Sequence, residues 1–461
     1  MRTQTSARFS VRSWNFYLNS LLAREISAIA AYYDQLVQFL PRESDSGLLL
    51  HLTQAKSKTT IGSGEAFPDL REESERRTAV LLNGTLNHHF DIQGLLVDLR
   101  ERLSRTARLV LVLYNPYVRW LYALANWFGI RKGELPFTFL TQVDVANLAK
   151  LAGFDVVRIR PKVYFPWSLM GVGEVINRCC SAIPFLRRFS LATVVVLRPV
   201  LPGKRPGLTC VIPARNERGN IEAALQRFPN LGCPTEIIFV EGHSNDGTWE
   251  EIQRVIPLYR HRFQIKAYQQ TGRGKADAVR LGFSHASQPL LSILDADLTM
   301  PPEMLGRFYN AYCEGKGDFI NGSRLVYPMQ GDAMRFLNRL GNIFFAKALT
   351  FVMDNRVGDS LCGTKFVTRA DYLRMQAWRA DFGDFDPFGD FELLFPAATM
   401  ALGIVDVPVR YLARTYGSTN IQRFRHGWQL LRMTLIGFFR MKIGVACPRP
   451  AESVLRTSAS Q

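Results

Sequence analysis

A chain of 461 residues exceeds one ordinary domain, and 47% hydrophobic with 21% charged residues excludes a disordered or fibrous polypeptide. The formal net charge of +17 calls for an anionic partner. A phosphate-bearing substrate or a membrane surface fits this better than nucleic acid, because no nucleic-acid-binding motif accompanies the charge.

In chain order, residues 1–75 give fragmentary signals, with a helix expected around 20–40. Strand-like runs at 79–84, 108–113 and 155–159, separated by helical patterns, predict an α/β domain over 76–200. Leu201-Pro-Gly-Lys-Arg-Pro-Gly207, with its prolines and glycines, predicts a linker over 201–207. Downstream, strand candidates at 208–212, 236–240, 263–268, 289–294 and 318–321 alternate with helical stretches near 219–228, 248–255, 275–286 and 301–313. That alternation predicts a mostly parallel, doubly wound sheet over 208–410, in which ligands bind beyond the carboxyl ends of the strands. Residues 411–461 form a basic, amphipathic C-terminal region.

No Asp or Glu occurs between Val407 and Ala451, whereas eight Arg or Lys do. Within this stretch Trp428–Ile443 is helical in pattern, with Gln429, Arg432 and Arg440 on one stripe. Ala333–Met353 is a second such pattern, with Arg335, Asn338, Arg339 and Asn342 at helical spacing. Both helices suit the headgroup layer of an anionic membrane, the alternative being burial against the sheet. No uncharged apolar run approaches the ~20 residues that span a bilayer, and the first forty residues show no leader with a cleavage site. Seven scattered cysteines without a C-x-x-C pair argue against disulfides or zinc and for a reducing compartment. The expected location is cytoplasmic, peripheral on the cytoplasmic face of a membrane.

Chemistry concentrates at the strand ends. Pro289-Leu-Leu-Ser-Ile-Leu-Asp-Ala-Asp297 ends an apolar strand in two carboxylates, and the two-residue period turns Asp295 and Asp297 to one side. Paired carboxylates make a hard-oxygen site for Mg2+ or Mn2+, with substrate phosphates completing the shell. Val211-Ile-Pro-Ala-Arg-Asn-Glu217 closes the first strand and Phe239-Val-Glu-Gly-His-Ser-Asn-Asp-Gly-Thr248 the next. Glu217, Glu241 and Asp246 can accept hydrogen bonds from a nucleoside, while Asn216, Asp246 and Thr248 also suit helix caps. Gly272-Arg-Gly-Lys-Ala276 offers backbone N–H groups and Lys275 to a diphosphate.

In this order, Pro-Ala-Arg-Asn-Glu, Glu-Gly-His-Ser-Asn-Asp-Gly-Thr, Gly-Arg-Gly-Lys-Ala, Asp-Ala-Asp and Gly322-Ser-Arg324 resemble family 2 glycosyltransferases over roughly residues 207–425. Asp359–Phe366, Phe388–Leu394 and the late loop Tyr416–Ile421 bring the resemblance closest to dolichyl- or polyprenyl-phosphate mannosyl- and glucosyltransferases. The resemblance implies a GT-A-type α/β fold and inverting transfer of a sugar from a nucleotide sugar to a polyprenyl phosphate. It implies that Pro213, Arg215, Glu217 and Glu241 line the nucleoside, that Asp295 meets ribose or metal, and that Asp297 holds the metal. Arg324 would approach a phosphate. Two departures stand out: a second acid after Glu241 is replaced by Gly242, and the late loop lacks a lysine, leaving Arg414, Arg423 and Arg425 to neutralise phosphate there. A hydroxyl acceptor needs a general base, for which Asp390 and Glu392 are the candidates; a phosphate acceptor does not, and both acids could instead be structural. A saccharide or secondary-metabolite acceptor remains an alternative, as does a nucleotide-sugar-binding regulatory protein without turnover.

Residues 79–199 resemble the C-terminal half of class I S-adenosylmethionine-dependent methyltransferases, through the strand–Asn-Gly run at 79–84, Tyr114-Asn115 and Asn147–Val157. The cofactor loop has no counterpart except Ile61-Gly-Ser-Gly-Glu65, which stands too close to the 79–84 strand. The resemblance therefore implies a truncated Rossmann-like domain with a scaffolding role and no bound SAM.

Overall fold

The computed structural model describes residues 5–41, 48–71, 76–129, 135–328, 336–382, 389–417 and 423–444. The chain divides into two compact units, one of Met1–Leu201, Thr399–Ala401 and Phe438–Gln461, the other of Pro202–Ala398 and Leu402–Gly437.

The first unit is built on six strands: β1 (Gln35–Phe39), β2 (Lys58–Ile61), β3 (Thr78–Asn83), β4 (Arg108–Tyr114), β5 (Phe154–Lys162) and β6 (Ala192–Pro199). Their order is β2-β1-β3-β4-β6-β5, with β2, β1, β3 and β4 parallel and β6 antiparallel to both its neighbours. β3 is buried along its whole length, as a strand covered on both faces must be. Val80 and Leu82 face a core with Leu96 and Leu99 of the helix Ile92–Arg102 and Val145 and Ala149 of Gln142–Leu151. The alternate residues Ala79 and Leu81 face Ile26 and Ile29 of the helix Thr5–Ala30. Both helices of the first face start on caps. Asp91 Oδ1 accepts the Gly94 N–H at 2.8 Å, and Thr141 and Asp144 form a reciprocal capping box.

The helix expected around 20–40 stops at Ala30, and Gln35–Phe39 is a strand instead. Its Leu-Val-Gln-Phe run satisfies its backbone against β2 and β3 on either side, and that pairing overrides the local helical pattern. The Gly62-Ser-Gly64 turn thus follows β2, while β1 runs into Leu40-Pro41.

The second unit holds β7 (Leu208–Ala214), β8 (Thr235–Glu241), β9 (Gln264–Gln269), β10 (Leu290–Ile293), β11 (Phe319–Ser323), β12 (Lys365–Thr368) and β13 (Ile404–Pro408). Their order is β13-β11-β12-β10-β7-β8-β9. β10, β7, β8 and β9 are parallel, β11 and β13 are parallel, and β12 runs antiparallel between β10 and β11. The helices Arg218–Gln226, Thr248–Tyr259, Lys275–Ser284 and Leu305–Cys313 supply the crossovers. Cys210, Ile212, Ile237, Phe239, Ile320 and Phe366 form the centre of the core. Gly282 lets its helix lie directly on β7, since a Cβ there would come within 2.5 Å of Val211 Cγ1. Because β8 and β9 extend to one side of β7 and β10 lies on the other, the strand order reverses between β7 and β10, opening a crevice at their carboxyl ends.

Two helices of this unit depart from the stripes expected of them. In Phe336–Met353, Asn342 is buried while Leu340 and Phe344 are exposed; in Arg423–Gly437, Trp428 and Leu435 are exposed beside Arg432. The exposed faces therefore mix apolar with basic residues, while Leu349, Val352, Met353, Leu430 and Met433 are buried. From Phe438 to Ile443 the chain continues as a π-helix. Arg335 and the chain beyond Gly444, with Cys447 and Arg449, lie outside the described residues, as do the side chains of Asn338, Arg423 and Arg425. The described cysteines form no disulfide with one another, and no described helix is long and apolar enough to cross a membrane.

Candidate active site

The loops that leave β7, β8 and β10 share an unusual backbone. Asn216, His243 and Leu298 have φ of 56°, 59° and 51°, a left-handed conformation that costs a non-glycine residue about 1–3 kcal/mol and concentrates at functional sites. Side chains lace these loops together. The Asn216 N–H donates to Ser244 Oγ at 2.9 Å, and the Asn245 N–H donates to Asn216 Oδ1 at 2.9 Å. His243 Nε2 meets the Gly272 carbonyl at 3.1 Å. Glu241 is buried and accepts the Ser244 N–H at 2.5 Å, so its carboxylate shapes the loop after β8. Asp246 accepts from Thr248 N at 3.1 Å, Arg218 N at 3.2 Å and the Tyr416 hydroxyl at 3.2 Å, tying the late loop to the start of the helix Thr248–Tyr259.

The crevice between β7 and β10 holds the central charges. β10 ends at Ile293, so Asp295 and Asp297 lie in the turn beyond it, and strand alternation does not set their directions. They diverge. Asp297 accepts Thr299 Oγ1 at 2.8 Å and Arg414 Nη2 at 2.6 Å, whereas Asp295 pairs with Lys275, the first residue of its helix. Burial opposes the charge on Asp295, but Lys275, Lys365 and Arg324 outweigh it and hold its pKa below the ordinary value. Lys275 in turn is raised by Asp295 and Asp390 against the effect of burial. This pair lies on the bare backbone of Gly363, where a Cβ would fall 2.2 Å from Lys275 Nζ and 2.3 Å from Asp295 Oδ2.

Arg414 also reaches Glu217 Oε1 at 3.2 Å, and Asn220 Nδ2 donates to Glu217 Oε2 at 2.7 Å. Burial pushes the Glu217 carboxyl up to about 7, with Asp297 and Asp246 adding to the rise and Asn220 and Arg414 opposing it. A carboxyl raised from 4.5 holds its proton in the folded chain after the unfolded chain has lost it. The stabilising contribution of this group is therefore fully present below about 4.5 and is lost as pH rises through about 7. Thermal melts between pH 5 and 8 should show a loss of roughly 1–3 kcal/mol from this group, and Glu217→Gln should flatten the slope. An unchanged slope in the variant would assign the loss to another group.

The remaining sequence-derived residues divide clearly. Pro213 is half-buried at the end of β7, and Arg215 is exposed just past it. Arg324 follows β11 and is clamped by the fully buried Asp359, at 2.7 Å from Nε and 2.9 Å from Nη2. Asp390 pairs with buried Lys365 on β12. Glu392 takes Arg280 at 2.9 Å and Arg379 at 3.4 Å. Asp359 and Lys365 had no role assigned from sequence, although both lie in the Asp359–Phe366 motif. Phe388 and residues 418–421 of the motifs lie outside the described residues.

Residues 209–374 match the family model of glycosyl transferase family 2. Over these residues the second unit is similar to glycosyl transferase family 2. Its α/β sheet is of the GT-A type expected. The chain is 35% identical over 122 residues to a dolichol-phosphate mannosyltransferase of Pyrococcus furiosus, a stretch covering 26% of this chain and 33% of that protein. It is 28% identical over 223 residues to a dolichyl-phosphate hexose transferase of Haloferax volcanii, covering 48% of this chain and 89% of the relative. A solved mannosyltransferase of Pyrobaculum calidifontis, in complex with GDP-Man and Mn2+, aligns with 17% identity and a TM-score of 0.34, over 57% of this chain and 78% of that one. The alignment to the Pyrococcus relative thus spans only about a third of its length. Within the glycosyltransferase domain, the motifs assigned from sequence converge on the crevice at the strand-order reversal.

Proposed function

We propose that this chain is an inverting glycosyltransferase that moves a sugar from a nucleotide-sugar donor to a polyprenyl, dolichyl-type phosphate at the cytoplasmic face of a membrane. The observation that carries this reading is the grouping of Glu217, Asp297 and Arg414 at the strand-order reversal, with the Asp295–Lys275 pair in the loop beside it. A nucleoside bound there would meet Pro213, Arg215, Glu217 and Asp246, with Glu241 acting one step back by folding the loop around it.

The donor set fits a hard divalent ion. Two carboxylates can hold such an ion when substrate phosphates complete its shell. Asp297 and Asp295 would hold Mg2+ or Mn2+, whose chemistry is to neutralise the departing nucleoside diphosphate. Lys275, Arg414 and Arg324 are fixed cations for the same developing charge. A phosphate acceptor is already anionic near neutral pH. The engagement of Asp390 by buried Lys365, and of Glu392 by two arginines, favours it over a hydroxyl acceptor that needs a free base.

The exposed Leu340, Phe344, Trp428 and Leu435, 48–69% accessible and interspersed with Arg339, Lys347 and Arg432, support a lipid-facing surface on the glycosyltransferase unit. For the first unit, the β2-β1-β3-β4-β6-β5 order with β6 antiparallel supports a methyltransferase-type sheet. The lack of a Gly-x-Gly after β1 supports a scaffold without SAM.

The test is to incubate the purified chain with Mg2+ or Mn2+, a panel of UDP- and GDP-sugars and polyprenyl phosphate, and to follow lipid-linked sugar by mass. Lipid-linked product is the expected result. Nucleotide release without lipid product would move the acceptor to a saccharide or metabolite. Metal-dependent nucleotide binding without turnover would leave a regulatory binding protein, and the absence of both would overturn the reading.

A further inference from the structure

The first unit contains a cavity of about 390 Å3 that the transferase reading does not use. A volume in that range suits a small ligand. It lies behind the helix Val172–Ala182, and that helix is amphipathic in the inverted sense. Glu174, Asn177, Arg178 and Ser181, at i, i+3, i+4 and i+7, line the cavity. On the outer side Val172 and Val175 are exposed, followed by Ile183, Phe185 and Phe189. The outward apolar residues of such a helix gain from burial when that face meets an apolar phase, while the inward polar residues leave the cavity suited to a polar ligand.

The cavity is cationic. Arg24, Lys162, Arg178 and Lys442 line it, against Glu25 and Glu174. Both carboxylates are already shared. Glu25 is gripped by Arg158 at 3.3 Å, Arg160 at 3.0 Å and Lys162 at 3.4 Å, and Glu174 by Arg24 and by Arg178 at 2.9 Å. Among the described lining residues positive charge therefore exceeds negative, which favours an anion, and arginine pairs suit phosphate geometry. Ser27 Oγ also lines it, 7% exposed at the residue level and with no hydrogen-bond partner among the described residues.

The outer face continues through the segment after β4. Asn115 Nδ2 donates to the carbonyls of Arg188 at 2.8 Å and Ser190 at 2.7 Å, holding that segment beside Phe185 and Phe189. From it Trp120 and Trp127 stand 60% and 78% exposed. No Asp or Glu occurs from 102 to 133 or from 175 to 216, so no acid on these segments repels an anionic surface.

We propose that this cavity binds the phosphate headgroup of a membrane lipid, with the outer face of the helix Val172–Ala182 and its aromatic neighbours lying in the lipid layer. The site belongs to the first unit and does not depend on the transferase reading.

The full chain should be tested by co-sedimentation with phosphatidylcholine vesicles, with and without phosphatidic acid, and by calorimetry with glycerol 3-phosphate and inorganic phosphate. The wild type should prefer phosphatidic acid vesicles by about tenfold, equivalent to about 1.4 kcal/mol. The double variant Arg24→Gln/Arg178→Gln, at two half-exposed positions, should lose that preference yet still bind both vesicle types weakly. Val175→Ser should weaken binding to both vesicle types and leave any binding of soluble phosphate unchanged. Retention of the preference in the double variant overturns the proposal. So does tight binding of glycerol 3-phosphate without binding to vesicles, which would make the cavity a soluble-anion site. Because no sugar nucleotide is present, neither failure bears on sugar transfer.

Discussion

Asp297→Asn is expected to lower sugar transfer by about a thousandfold or more, close to 4 kcal/mol of transition-state stabilisation, with little change in melting temperature. The two effects separate because the residue has two kinds of partner. An asparagine keeps an oxygen for the Thr299 N–H and hydroxyl, so the turn after β10 survives. Arg414 keeps Glu217 as its second carboxylate. What disappears is the negative oxygen now 2.6 Å from Arg414, the one proposed to hold a divalent ion against a diphosphate. Single-turnover transfer and metal-dependent nucleotide binding should fall together. Activity within about tenfold of wild type would remove Asp297 from the metal site and shift that role to Asp295 alone.

Asp359→Ala is expected to destabilise the glycosyltransferase unit by about 3–5 kcal/mol and lower its melting temperature by about 10 °C. Asp359 is completely buried and accepts four bonds: from Arg324 N at 3.0 Å, Nε at 2.7 Å and Nη2 at 2.9 Å, and from Leu361 N at 3.0 Å. Removing it leaves the Arg324 guanidinium, only 11% exposed, without its counter-charge in a site that water cannot easily enter. The double variant Arg324→Met/Asp359→Leu should recover part of the loss, because the cost lies mainly in the stranded charge. A loss below about 1 kcal/mol in the single variant would mean that water or another acid compensates Arg324.

The parallel half of the glycosyltransferase sheet was legible in the sequence because each strand there is a short apolar run ending in a polar motif. The runs at 208–212, 236–240 and 289–294 became β7, β8 and β10, and their motifs met in one crevice. β12 and β13 escaped notice for physical reasons. Lys365–Thr368 is four residues long and opens on a lysine whose burial depends on Asp390, a partner that no periodicity reveals. Ile404–Pro408 is only partly buried and includes Asp406, whose carboxylate accepts from Asn321 and Gly358. Likewise, the directions of Asp295 and Asp297 could not be read from strand alternation, because the strand ends two residues before the first of them. In the first unit, the cluster around Glu25 joins residues more than a hundred positions apart, beyond the reach of any local pattern.

The antiparallel β12 lies in the middle of its sheet yet comes late in the chain. Until it emerges from the ribosome, β10 and β11 have no strand between them, and each presents an open edge of unpaired backbone groups. The glycosyltransferase unit therefore cannot close strand by strand as it is made. A nascent or truncated chain ending before Lys365 leaves β10 open on one side and β11 unpaired on both, since β13 is also still to come, so this stretch of synthesis is where a chaperone would be needed most.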